Sequence, residues 1–193
     1  MLMQHSKQNV LVATSELNDQ DECKKLFQEQ VDDPSTTKFI LFTVKETAEQ
    51  RLELLKQAFD QPLHETVVLE MNAELRETPP APIPSTSRKG TNAIGKCNRI
   101  NLDSTNLTEV ENRADVCIRN EITQFNDMVL CFYSLTDLAI FADNKDELLS
   151  FISDVTGTVQ RVNAHAHYHV SRDFHEQRYL KGIDDHFDEI LKA

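Results

Sequence analysis

The chain has 193 residues, a formal net charge of -12 at pH 7 and 39% hydrophobic residues. This length suits one well-buried core, so we expect a single domain over residues 1–193. The acidic excess, with no compensating basic run, argues against binding to nucleic acid or to an anionic membrane. The N-terminus lacks the apolar core of a signal peptide, and no apolar run is long enough to span a bilayer, which predicts a cytoplasmic protein.

Strands and helices alternate along the chain. Short apolar runs predict five buried strands, at residues 9–14, 38–44, 66–71, 128–133 and 164–170. Helical spacing of apolar residues predicts four helices that begin near residues 19, 48, 104–106 and 135. It also predicts a longer helix whose apolar residues fall within 148–159 and a final helix whose apolar residues fall within 180–191. Strands that are apolar on both faces and alternate with helices predict a parallel sheet covered on both sides.

Residues 73–98 interrupt this alternation. Within them, residues 78–90 contain four prolines and no hydrophobic periodicity. We interpret the segment as a flexible, proline-rich insertion in the single domain, solvated by default, with docking of a partner in polyproline form as an alternative.

The turn after the first strand is acidic where a phosphate-binding protein needs glycines and a lysine. It contains Ser15, Glu16, Asn18 and Asp19, and four carboxylates lie between residues 15 and 22. Carboxylates at a helix N-terminus occupy the place that attracts a phosphate and repel a triphosphate. The sequence therefore predicts that the usual phosphate-binding loop is missing.

Three segments, NVLVATS, VLCFYSLTDL and HAHYHV, carry a family resemblance over nearly the whole chain apart from the insertion. Their order and spacing resemble the haloarchaeal RecA/KaiC-like proteins, in a family of unassigned function. The resemblance implies a RecA-like (P-loop NTPase-like) three-layer α/β sandwich with a mostly parallel, five-stranded sheet. It also favours reading the negative charge as an adaptation to high salt.

In active RecA-type ATPases, the strand that matches residues 128–133 ends in a carboxylate that holds the hydrated Mg²⁺. Tyr133 stands at that position here, and a neutral phenol cannot supply the charge. Ser134 follows the strand without the glycines of a nucleophile elbow, so we interpret it as a helix N-cap.

The last predicted strand is rich in histidine. His165, His167 and His169 would share one face, about 7 Å apart, and His175 or Asp173 could complete a zinc site from the next loop. The alternative, which we favour, is that these histidines are hydrogen-bonded parts of the sheet. The four cysteines show no C-x-x-C spacing. We expect them to lack a basic partner that would activate a thiol, and we interpret them as buried free thiols in a reducing compartment.

Together these patterns predict a catalytically inactive RecA-like domain that binds no cofactor and acts as a regulatory or assembly protein. Its expected partner is a protein, either a second copy or an active RecA-like relative. The alternative hypothesis is a binding protein or an enzyme that holds a small ligand, a nucleotide or a metal in the crevice at the carboxyl ends of the strands.

Overall fold

The structure is a computed structural model that describes residues 8–15, 20–71, 94–102, 104–122, 127–173 and 182–192. The strands are β1 Asn9–Thr14, β2 Lys38–Thr43, β3 Leu63–Met71, β4 Ile94–Leu102, β5 Met128–Tyr133, β6 His165–Ser171 and β7 Glu189–Lys192. The helices are α1 Gln20–Gln30, α2 Ala48–Ala58, α3 Leu107–Ile122, α4 Leu135–Leu138 and α5 Lys145–Arg161. Single 3₁₀ turns cover Ala139–Phe141 and Asp184–His186.

The described strands form one sheet in the order β4-β3-β2-β5-β6-β1-β7, and every pairing is parallel. Every residue of β1, β2 and β5 is buried, as expected of strands covered on both faces. Parallel strands place their carboxyl ends along one edge of the sheet. The residues that follow β1, β2, β5 and β6 therefore meet at that edge.

Helices cover both faces of the sheet. One face packs against α1 and α2 through a cluster that includes Phe27, Leu55 and Cys131. The opposite face packs against α3, α4 and α5 through a larger cluster that includes Phe132 and Phe151. The predicted parallel α/β architecture with helices on both sides is confirmed.

Two strands were not predicted, so the sheet has seven strands rather than five. The strand β4 begins at Ile94, inside the range 73–98 assigned to the insertion; residues 72–93 lie outside the described part of the chain. It forms one end of the sheet and carries half-buried and exposed side chains, so it lacks the apolar run of a central strand.

The final predicted helix over residues 180–191 is wrong where the structure describes it. Residues 184–186 form a 3₁₀ turn, and Glu189–Lys192 pair with β1 as β7. The apolar residues Ile183, Phe187 and Ile190 do face the core, but a turn and a four-residue strand bring them there. In the described part of the chain, no helix is both long and apolar enough to cross a bilayer.

A buried ion network links the amino ends of β2 and β3 to β4 and α3. The Lys38 side chain is fully buried, and its Nζ lies 3.0 Å from Glu65 Oε2 and 2.6 Å from Glu121 Oε2. Glu65 also contacts Lys96 Nζ at 2.7 Å. A buried ammonium without anionic neighbours is costly, so the two carboxylates stabilise the position of β2.

We expect Glu65→Gln to lower the free energy of unfolding by about 1–3 kcal/mol at pH 7, measured by urea denaturation. The expected loss is smaller than the roughly 3–5 kcal/mol that is typical when a buried charge loses its only partner, because Glu121 still contacts Lys38. A matched control is Glu109→Gln, which removes an exposed helical pair with Arg113 and should cost at most about 0.5 kcal/mol. Equal effects of the two variants would contradict the structural role of Glu65.

The effect should also depend on pH. The hydrogen bond from Lys96 lowers the pKa of Glu65, burial acts in the opposite direction, and Lys38 lowers it further. A carboxyl with a lower pKa in the folded state stabilises the fold above its unfolded pKa of about 4.3. That contribution is lost as the pH falls through the folded pKa. The difference between wild type and Glu65→Gln should therefore shrink as the pH is lowered below about 4.

Candidate functional site

Four metal-ligating side chains meet between the sheet and the helices α1 and α2. Cys23 lies in the first turn of α1, Cys131 in β5, and His167 and His169 in β6. Cys131 and His167 are neighbours because the parallel register of β5 and β6 pairs them directly. His167 and His169 share a face because they are two residues apart in a strand. We call these four residues the Cys–His cluster.

The donor atoms of the Cys–His cluster lie within 4.8 Å of one another. The two sulfurs, Cys23 Sγ and Cys131 Sγ, are 3.7 Å apart, and Cys23 Sγ is 3.4 Å from His167 Nε2. All four cysteines of the chain are thiols rather than disulfides. The four cluster residues are at most 1% exposed, so the group is shielded from bulk water.

A buried arginine of α2 joins this cluster. Arg51 is 1% exposed, and its Nη2 donates to Cys23 Sγ at 3.0 Å and to Cys131 Sγ at 3.2 Å. Its Nη1 donates to Glu46 Oε2 at 3.2 Å. The guanidinium also lies over the ring of Tyr133, with Cζ 4.1 Å from the ring centroid. The expectation that no basic group lies near the cysteines is therefore wrong. Arg51 is 28 residues from Cys23 in the sequence, and the packing of α2 places it beside that cysteine.

The pKa values of Cys131 and Arg51 are shifted in opposite directions by their contact with each other. Burial alone would raise the pKa of the Cys131 thiol, but the hydrogen bond with Cys23 and the interactions with His167 and Arg51 hold that pKa well below its usual range. Burial acts to lower the pKa of Arg51, but Cys131, Cys23 and Glu46 outweigh it and raise that pKa. The arginine therefore stays charged and favours a thiolate beside it.

The imidazole of His167 is positioned by a hydrogen bond and by a contact with an aromatic ring. Its Nδ1 lies 2.8 Å from Gln30 Oε1, at the last residue of α1, and Phe27 packs edge-on against the ring with centroids 4.6 Å apart. Burial lowers the pKa of His167, so the ring is neutral at pH 7. Because a carbonyl oxygen can only accept, Nδ1 carries the proton, and the lone pair of Nε2 points toward Cys23.

The end of β5 forms a second group of polar residues beside the cluster. Tyr133 is buried, and its ring lies 5.3 Å from that of His169. Ser134 caps α4 as predicted, because its Oγ accepts from the backbone N–H of Asp137 at 3.2 Å. The Asp137 carboxylate accepts from Ser134 Oγ at 2.7 Å and contacts Lys45 Nζ at 2.6 Å.

Of the residues predicted from the histidine-rich strand, the structure brings together only His167 and His169. His165 is partly exposed at the start of β6 and is not in the Cys–His cluster, and Asp173 is exposed after the strand. His175, like Glu16, Asn18 and Asp19 of the acidic turn, lies outside the described residues, whereas Ser15 is exposed after β1.

Sequence reasoning missed Cys23, Cys131 and Arg51 as parts of a site. The ligands come from three separate elements, so no short spacing motif marks them. One signal was present: Arg51 falls on the apolar stripe of α2, with Ala48, Leu52 and Leu55. A charged residue on a buried helix face requires buried partners.

The family assignment is clear. A family model described as a family of unknown function, DUF7504, matches residues 8–193. No curated protein matches the chain. Because the match covers nearly the whole chain, the protein belongs to the DUF7504 family.

Proposed function

We propose that this chain is a catalytically inactive RecA-like domain that acts as a regulatory or assembly protein through contacts with other proteins. The observation that carries the proposal is the packing at the end of β5. There the buried ring of Tyr133 lies against the guanidinium of Arg51, at the position where the resemblance implies a magnesium-binding carboxylate.

A hydrated Mg²⁺ needs an anionic oxygen that faces water. The Tyr133 side chain is a neutral phenol that is 4% exposed. At Tyr133 no anionic oxygen offsets the neighbouring Arg51 charge, so a hydrated Mg²⁺ is unfavourable there. Asp137, the next carboxylate along the chain, is already held by Ser134 and Lys45.

The acidic turn after β1 supports the same conclusion from the sequence. Glu16 and Asp19 precede α1 in the sequence, and Asp21 and Glu22 lie in its first turn, where the helix dipole favours an anion. In this proposal, the two features that bind ATP in RecA-type ATPases, the phosphate-binding loop and the carboxylate that binds Mg²⁺, are both replaced by residues of unsuitable charge.

The alternative hypothesis, a protein that binds a ligand or metal, is favoured by one specific observation. The Cys–His cluster gathers two sulfurs and two imidazoles in a buried space. Binding of a metal there is compatible with the absence of ATP turnover, so the two hypotheses can hold together.

Purified protein with Mg²⁺ and ATP should release no phosphate above the buffer background, and ATP should leave the melting temperature unchanged. The reason is that neither the triphosphate nor its metal finds complementary charge. Asp137→Asn separates true turnover from a contaminating ATPase, since it removes the first carboxylate that follows β5 in the chain. Saturable phosphate release by the wild type that Asp137→Asn abolishes would contradict the proposal.

The proposed partner is a second copy of the chain. An end strand of a sheet offers backbone donors and acceptors to another chain, and β4 ends the sheet of described strands. Beside it, Ile100 of β4 and Val116 of α3 are 38% and 56% exposed and flank a groove of about 820 Å³. Apolar side chains at such an edge favour contact with another protein.

We expect light scattering after size exclusion to show a dimer or larger oligomer for the wild type, and a shift toward monomer for Val116→Lys. A charge placed in an apolar contact would lose hydration without gaining a partner. Ile140→Lys is the matched control, because Ile140 is 64% exposed in a 3₁₀ turn and does not line the groove. A wild type that is monomeric at all concentrations would rule out self-association.

A further inference from the structure

We infer that Cys23, Cys131, His167 and His169 form a tetrahedral binding site for a divalent metal ion of the zinc class. This inference goes beyond the proposed role in protein contacts and does not depend on it. It rests on the donor set, on the distances between the donor atoms, on the orientation of His167 and on the balance of charge in a buried space.

Two distances between donor atoms are close to the edges of a zinc tetrahedron. Zinc bonds of about 2.3 Å to sulfur and 2.0–2.1 Å to nitrogen place two sulfurs about 3.8 Å apart, and a sulfur and a nitrogen about 3.6 Å apart. The corresponding distances are 3.7 Å between Cys23 Sγ and Cys131 Sγ and 3.4 Å between Cys23 Sγ and His167 Nε2. All donor pairs are within 4.8 Å, so one ion can reach the four side chains with small adjustments.

The contacts around the donors are those that support a metal ligand. A ligating histidine commonly donates its other ring N–H to a carbonyl or carboxylate, which fixes the tautomer and directs the lone pair at the metal. Gln30 does this for His167, with Oε1 2.8 Å from Nδ1. Arg51 donates to both sulfurs and therefore stabilises them as thiolates, the form that binds metal.

Charge balance favours a dication. A metal ion is bound by deprotonated cysteines and neutral histidines, and two of each carry a charge of about -2. The Arg51–Glu46 pair adds no net charge. A buried net charge of that size is costly, and a divalent ion cancels it. A monovalent ion would leave one negative charge, so Zn²⁺ fits better than Cu⁺ on this criterion.

The set of ligands also indicates what the ion would do. Two sulfurs and two nitrogens in a tetrahedral arrangement are typical of zinc and unsuited to Mg²⁺ or Ca²⁺, which require oxygen. With four protein ligands, no coordination position is left for water, as in structural zinc sites. The ion would therefore tie α1 to β5 and β6 and stabilise the domain.

Zinc content gives the first test. Protein expressed in medium supplemented with zinc and purified without a chelator should contain one zinc per chain by elemental analysis. The ion should be released when guanidinium unfolds the chain, as detected with a colorimetric zinc indicator. Protein refolded with Co²⁺ in place of zinc should show the visible absorption of tetrahedral cobalt and a near-ultraviolet sulfur-to-cobalt band. These measurements need no substitution, so a variant that fails to fold does not decide them.

Variants then assign the ligands. Cys23→Ser and Cys131→Ser should each lose the bound zinc and weaken the sulfur-to-cobalt band. Two matched controls, Cys117→Ser and His165→Gln, should keep both the bound zinc and the sulfur-to-cobalt band. Cys117 is a buried thiol of α3 on the opposite face of the sheet, and His165 is a histidine of β6 outside the cluster.

Gln30 tests the positioning of His167. Gln30→Ala should weaken zinc affinity about 10- to 100-fold, the usual range for losing the partner of a ligating histidine, and Gln30→Glu should restore it. A change in stability without a change in zinc affinity would show that Gln30 has only a packing role.

Three results would overturn the inference. They are a wild type that holds well below one zinc per chain after refolding with Zn²⁺, a cobalt spectrum without the sulfur band, and zinc retained by both Cys23→Ser and Cys131→Ser. None of these bears on ATP hydrolysis or self-association, so failure of this inference is distinguishable from failure of the proposed function.

Discussion

The buried charge of Arg51 is the constraint on which the rest of this structure depends. A guanidinium removed from water needs acceptors and counter-charge close by, and Arg51 finds them in Glu46, in the sulfurs of Cys23 and Cys131, and on the face of Tyr133. One side chain thereby connects the first turn of α2 to α1 and to β5. The same contacts keep Tyr133 buried at the end of β5 and keep thiolates available beside the histidines of β6.

This arrangement links the two proposals. The charge that makes the end of β5 unfavourable for a hydrated magnesium ion is the charge that favours thiolates a few ångströms away. The carboxyl end of β5 is bordered by a packed cluster of sulfur, imidazole and guanidinium. We therefore expect the fold to serve as a stable platform for protein contacts, and a bound zinc ion to add to that stability.

The sequence predicted those elements whose apolar pattern is set by burial on both faces. For β1, β2, β5 and β6, the apolar runs identified the strands, and Ser134 was recognised as an N-cap. The strands β4 and β7 were missed because an end strand needs no apolar run and a four-residue strand is too short to show a period. The Cys–His cluster could not be predicted, because Cys23, Cys131 and His167 are more than 30 residues apart. The parallel register places Cys131 beside His167, and the packing of α1 on the sheet brings Cys23 to them.

X-ray absorption at the zinc edge of the purified protein tests the central claim most directly, because it reports the atoms around the ion itself. The geometry leads us to expect two sulfur atoms at about 2.3 Å and two nitrogen atoms at about 2.0 Å, with the outer-shell scattering of imidazole rings. A shell of nitrogen and oxygen alone, or of four sulfurs, would contradict the assignment of Cys23, Cys131, His167 and His169 as the ligands.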